Sequence, residues 1–204
     1  MEDLSTGMEY EKELTRIYNR FNNHYWNNEL PEVLITFSPT KSAHGHMTTE
    51  PVWVSAEEES EGNKYELNIS AYTINRSPED ICATLLHEQC HLYNIINNIQ
   101  DCSNQNRYHN KRFKKTAESH GLICDKYSEL NGWSHTILDE EAKKYIVRLN
   151  VKQFELKRAE PPKAKRTLIK YCCPSCDNFC YLTKKVSLQH SITCGECNKI
   201  MIPE

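Results

Sequence analysis

Apolar residues recur at helical spacing in four stretches of the chain and at strand spacing between the first two. Leu14, Ile17, Tyr18, Phe21, Tyr25 and Trp26 fall on one face of a helix predicted over residues 8–29, which Asn27-Asn28 and Pro31 end. Those aromatics read as core. Residues 33–37 predict a strand, residues 45–49 and 52–55 a hairpin pair, and residues 57–63 an acidic turn. Alternation over residues 65–69 predicts a further strand. Ser77-Pro78-Glu79-Asp80 is a helix start, with Ser as N-cap, Pro at the first helical position and acids in the first turn. Ile81, Leu85, Leu86, Leu92, Ile95, Ile96 and Ile99 carry its apolar face onward. A polar loop over residues 97–109 leads to another amphipathic helix, with Phe113, Ala117 and Ile123 on its apolar side. Residues 138–157 predict a last helix with Val147, Val151 and Phe154 at i, i+4 and i+7. Helix, small antiparallel or mixed sheet, helix, helix is an α+β order.

The second of the helical stretches carries chemistry. His87-Glu88-Gln89-Cys90-His91 is an H-E-x-x-H pattern in mid-helix. Positions i and i+4 share a helix face one turn apart, so His87 and His91 can present two imidazoles to one Zn²⁺. Glu88 projects beside the metal, where it can act as general base on a zinc-bound water. The alternative is a buried helix whose histidines only hydrogen-bond locally, but buried polar side chains need partners and a Glu between two His supplies none of them by geometry. A catalytic zinc takes three protein ligands and keeps one open position. The metzincin spacing would place Gly and His where Asn94 and Asn97 stand, which excludes that class. His109, His120 and His135 are the downstream candidates; His109, at the start of the next helix, is favoured, with His120 second.

A second metal signal follows a Pro- and Lys-rich linker over residues 158–166. Cys173-x₂-Cys176 and Cys194-x₂-Cys197 are two knuckles separated by 17 residues, a Zn ribbon spacing that predicts a closed, structural Cys₄ site. Cys172 and Cys180 fall outside it, and Cys82, Cys90, Cys102 and Cys124 read as buried free thiols. The boundaries predicted are 1–157 for the larger domain, 158–169 for the linker and 170–204 for the ribbon.

Composition narrows the setting. The chain has 204 residues and 10 cysteines, no apolar run of membrane-spanning length and an acidic N-terminus without a signal-peptide core. The expectation is a cytoplasmic protein, monomeric, with no membrane partner, whose cysteines serve metal rather than disulfides. Charge is uneven. Residues 1–140 hold 12 Lys and Arg against 22 Asp and Glu, a balance of −10. Residues 141–170 hold 10 against 3, a balance of +7. Such a basic segment suits a phosphate backbone, and equally a solvated linker. Lys163, Lys165, Arg166 and Lys170 are the candidate DNA contacts.

Together these elements resemble the SprT-like family, which includes the Spartan DNA–protein crosslink proteases. The resemblance rests on Ala43-His44-Gly45, Leu67-Asn68-Ile69-Ser70, the stretch from Thr84 to Asn94, His109-x-x-x-Phe113, and a Cys₄ ribbon opening at Tyr171-x-Cys173. It covers most of the chain from about residue 8. It implies a zincin-like metallopeptidase core with a catalytic Zn²⁺ on His87, His91 and His109, Glu88 catalytic, and a structural Zn²⁺ in the ribbon. It also implies a protein substrate associated with or crosslinked to DNA. The family's usual Gly after the third His is Asn110 here. The competing expectation is a non-enzymatic nucleic-acid-binding or regulatory protein, with the ribbon carrying the function and the core as scaffold.

Overall fold

A computed structural model describes residues 6–54, 62–162, 168–183, 186 and 191–204. The chain divides into two compact units, residues 1–159 and 160–204. The first begins with α1 (Gly7–Trp26), entered through a capping box in which Thr6 and Glu9 satisfy each other's orphan groups. It ends where Asn27 and Asn28 turn left-handed, at φ of 50° and 62°. Leu14, Ile17 and Phe21 are fully buried on its inner face.

Three short strands follow, β1 (Val33–Thr36), β2 (Gly45–Met47) and β3 (Tyr65–Ile69). The sheet order is β1-β3-β2, with β3 parallel to β1 and antiparallel to β2. The expected hairpin between residues 45–49 and 52–55 does not form. Gly45–Met47 pairs with β3 instead, and Trp53 bridges Lys64. Leu67, Asn68 and Ile69 in the central strand are wholly buried, so pairing there covers more apolar surface than a local hairpin would.

Helix α2 (Pro78–Ile96) is the spine of the unit. Ser77 caps it by accepting from the Asp80 N–H, and Ile81, Leu85, Leu86 and Leu92 are buried against α1 and the sheet. Gln89, the third residue of the H-E-x-x-H pattern, is also fully buried. It accepts from Trp26 Nε1 at 3.2 Å and donates to the Tyr18 carbonyl at 3.0 Å, which bolts α2 to α1.

After α2 come the two-residue strands β4 (Cys102–Ser103) and β5 (Tyr108–His109), then α3 (Lys111–Glu118), β6 (Leu122–Asp125), β7 (His135–Leu138) and α4 (Glu140–Leu149). Two helical expectations are corrected. Ile123 lies in β6 and is 43 % exposed, because α3 has already ended and Gly121 turns the chain at φ +86°. Helix α4 stops at Asn150, a left-handed cap, and buries Ala142 and Ile146. Val147 is exposed, and Phe154 reaches the core from the extended chain beyond the helix. A half-buried ion pair secures that extension: Glu13 takes a bidentate bond from Arg16 and accepts from the Lys152 N–H at 3.1 Å.

The second unit is a three-stranded antiparallel sheet, β8 (Leu168–Cys172), β9 (Phe179–Thr183) and β10 (Ile202–Pro203), in the order β10-β8-β9. Cys173, Cys194 and Met201 form its small core. No helix among the described residues is long and apolar enough to cross a membrane.

Candidate metal centres

Helical spacing puts His87 and His91 on one face of α2, and the β4–β5 hairpin carries His109 back to them. The three Nε2 atoms stand 3.1 Å (His91–His109), 3.2 Å (His87–His109) and 3.2 Å (His87–His91) apart. Phe113 packs against all three rings at centroid distances of 4.6, 4.6 and 4.7 Å, holding the cluster from the α3 side.

Three nitrogens in a triangle make a poor hydrogen-bond set, since each N–H can point at only one partner. They make a good metal site. Nitrogens at 2.0–2.1 Å from a tetrahedral zinc lie about 3.3 Å from one another, close to the observed edges. The far sides of two rings fit as well. His91 Nδ1 donates to Asp101 Oδ2 at 2.7 Å, and His87 Nδ1 meets Thr136 Oγ1 at 2.9 Å. Each contact turns a ring so that Nε2 faces the cluster. Asp101 also accepts from Asn94 Nδ2 at 3.0 Å, and Asn94 Oδ1 accepts from the Thr116 hydroxyl at 2.8 Å.

Electrostatics favours the neutral, metal-ready imidazole at His87 and His109. Burial and the neighbouring histidines hold His87 well below the usual imidazole range and His109 down at about 4. Burial also lowers His91, but the Asp101 carboxylate outweighs it, leaving that ring raised. Burial pushes the Glu88 carboxyl up to about 7, against the lowering influence of His91 and the Met47 backbone N–H.

Two glycines make close approaches that a side chain would block. A Cβ on Gly45 would meet Thr84 Cγ2 at 2.9 Å and Glu88 Oε1 at 3.0 Å, so β2 lies directly against Glu88. Gly132, at φ +62°, would place a Cβ 2.2 Å from the His109 carbonyl oxygen. Its loop clamps His109 from both sides of the peptide: His109 N–H donates to the Asn131 carbonyl, and Trp133 N–H donates to the His109 carbonyl, each at 3.0 Å.

The other expected ligands separate clearly. His120 stacks on Trp26 at 3.9 Å and its Nδ1 lies 2.7 Å from the Thr116 carbonyl, outside the cluster. His135 is half-exposed and paired with Asp125. Asn110 does not fill a glycine position. Its φ is −90° and its side chain caps α3 by accepting from the Arg112 and Phe113 N–H groups. Asp101, Thr136 and Gly132 were invisible to spacing. Only the Asn131-Gly132 dipeptide carried a turn signal, and it did not say what the turn embraces.

In the second unit Cys173, Cys176, Cys194 and Cys197 group into a set that could hold a metal. Cys176 Sγ and Cys194 Sγ are 3.7 Å apart, near the about 3.8 Å expected for thiolates on a tetrahedral zinc. Backbone N–H groups of Cys197 and Glu196, together with Asn178, lower the Cys194 thiol to about 6, while Cys176 and Cys197, which share hydrogen bonds with the other thiols, are raised. All ten cysteines are free thiols. Among the candidate DNA contacts, Lys170 is ion-paired with Glu204 and lies 5.3 Å from the Phe179 ring. Lys163, Lys165 and Arg166 lie outside the described residues.

The fold and both clusters therefore describe a mixed α/β protein with two sites able to bind metal. The family model for the SprT-like family matches residues 14–129, and the chain belongs to that family. No match was found among curated proteins or among solved structures.

Proposed function

We propose that the protein is a zinc-dependent endopeptidase with a zincin-type core, acting on proteins bound or crosslinked to DNA. The observation that carries this reading is the convergence of three imidazole Nε2 atoms, 3.1–3.2 Å apart, next to a buried carboxylate on the same helix. His87, His91 and His109 hold the catalytic ion, and the Cys₄ set holds a second, structural one. When bound, the catalytic zinc supplies a Lewis acid that polarises the scissile carbonyl and acidifies the attacking water.

The remaining work belongs to the chain. Glu88 accepts the water's proton and returns it to the leaving amine. A carboxyl pushed toward neutrality by burial can do both at neutral pH. Asp101 and Thr136 orient the rings of His91 and His87. Gly45 leaves the space that Glu88 occupies. The basic segment 143–170 and the ribbon hold DNA, which brings the protein substrate to the site.

Cleavage of a DNA-binding protein, with and without single- and double-stranded DNA, tests the reading. Glu88→Gln abolishes cleavage and leaves the zinc content unchanged, at two ions per chain. A Glu88→Gln protein that still cleaves would show that the carboxylate is not the base.

A further inference from the structure

The outer face of α3 is a strongly charged surface that the peptidase reading leaves unused. Residues 1–106 hold 6 Lys and Arg against 17 Asp and Glu, a balance of −11. Residues 107–126, which begin beside His109, hold 6 against 2, a balance of +4. The reversal is concentrated on α3, where Lys111, Arg112, Lys114 and Lys115 crowd into two turns. Positions 111, 114, 115 and 118 fall on one helix face, while Phe113, Thr116 and Ala117 are buried on the other. The first turn holds Lys111 and Arg112 and no acid, an arrangement the helix dipole disfavours.

That face forms one wall of an open groove of about 530 Å³, lined by Lys111, Lys114, Lys115, Glu118, Ser119 and Trp133. Lys114 Nζ lies 3.8 Å over the Trp133 ring and 3.4 Å from Glu118, so one ammonium is held in place inside the groove. Among the described residues, Lys111, Arg112 and Lys115 have no carboxylate partner. The groove is also close to the histidine cluster. Trp133 donates to the His109 carbonyl, and Phe113 on the opposite face of α3 touches the three imidazoles. One helix, about 10 Å thick, separates the two.

We propose that this groove binds the phosphodiester backbone of a nucleic acid. Lysines are point charges on flexible stems, suited to a row of phosphates read without regard to sequence. A specific acidic peptide would call for forked, bidentate arginines, which the groove lacks. The proposal rests on the proposed function only for nucleic acid as the partner. It places a contact on the unit that carries the histidine cluster, in addition to any made by the basic segment and ribbon.

The test is the salt dependence of oligonucleotide binding by the full chain, followed by fluorescence anisotropy. The wild type is compared with Lys111→Gln/Lys114→Gln/Lys115→Gln, using single- and double-stranded oligonucleotides of arbitrary sequence. Losing three phosphate contacts flattens the slope of log K against log salt by about 2–3 and weakens binding on the order of 100-fold at 0.1 M salt. Lys111→Gln and Lys115→Gln singly each flatten it by about 0.7–0.9, which keeps the test open should the triple variant fold poorly. Unchanged affinity and slope, with a wild type that binds, overturn this site alone. A wild type that binds no oligonucleotide overturns both this site and the DNA part of the proposed function. Polyglutamate that competes as strongly as DNA makes the groove an acidic-polypeptide site and overturns the proposal.

Discussion

Replacing Asp101 measures how much of the metal affinity lies behind the three imidazoles. The carboxylate is 8 % exposed, and its Oδ2 accepts from His91 Nδ1 at 2.7 Å and from Asn94 Nδ2 at 3.0 Å. It makes the His91 Nδ1 the protonated nitrogen, so that Nε2 carries the lone pair, and it holds the ring against rotation. An outer-shell carboxylate of this kind contributes about 10- to 100-fold in metal affinity, or roughly 1.4–2.7 kcal/mol. Asp101→Asn can keep a neutral hydrogen bond to His91 by placing its Oδ1 where Oδ2 stood. It loses the charge, which supplies about half of such a bond's strength, so a loss of about tenfold is expected. Asp101→Ala removes the bond outright and strands the Asn94 amide, so a loss of about 100-fold is expected. It also costs the metal-free fold about 1–3 kcal/mol through the two unsatisfied donors. Competition with a chelator of known zinc affinity reads the first quantity, and urea unfolding of the metal-free protein reads the second. Equal zinc affinity in wild type and Asp101→Ala would refute the argument, because His91 would then be oriented without its partner. Equal affinity losses for Asn and Ala would refute the division between charge and hydrogen bond.

Other consequences are as direct. Gly132→Ala drives a Cβ to 2.2 Å from the His109 carbonyl oxygen and adds strain at φ +62°; the loop must shift, and zinc affinity falls with His109, as chelator competition will show. Burial raises the Glu13 carboxyl, but its bonds to Arg16 and the Lys152 N–H outweigh that and leave it lowered. A lowered folded value stabilises the fold above the ordinary carboxylate range, and the stabilisation is lost as pH falls through that lowered value. Glu13→Gln should therefore cost about 2 kcal/mol near neutral pH, discounted because the Arg16 side chain is 38 % exposed, and the cost should fade in acid unfolding profiles. Cys194→Ser should abolish the structural zinc and unfold the β8–β10 sheet while leaving the near-ultraviolet circular dichroism of Trp26 and the catalytic zinc intact; loss of both ions together would contradict the independence of the two sites.

Local periodicity made much of this protein legible without its structure. His87 and His91 share a face because a helix repeats every 3.6 residues, and a C-x₂-C pair needs only one tight turn to aim two thiolates at one point. Helix α2 and its Ser77-Pro78 start were readable for the same reason. So was α1, whose Asn27-Asn28 stop is a backbone property of those two residues. Where local pattern misled, a distant contact had won. Residues 45–47 pair with β3 rather than with their neighbours at 52–55, because β3 is the buried strand. Val147 looked like core, but α4 turns Ala142 and Ile146 inward and ends at Asn150, so Phe154 reaches the core from extended chain rather than from the helix. The third histidine of the cluster shows the division most clearly. From sequence, His109, His120 and His135 were all candidates, with His109 favoured because it opens the next helix. The tertiary structure brings His109 to His87 and His91 on the β4–β5 hairpin, stacks His120 on Trp26 and pairs His135 with Asp125. The sequence by itself determined which residues could ligate and which helix would carry two of them. Only the tertiary structure decided that Asp101, Thr136 and Gly132 complete the site, because Thr136 lies 49 residues from the ring it orients and no periodicity reaches that far.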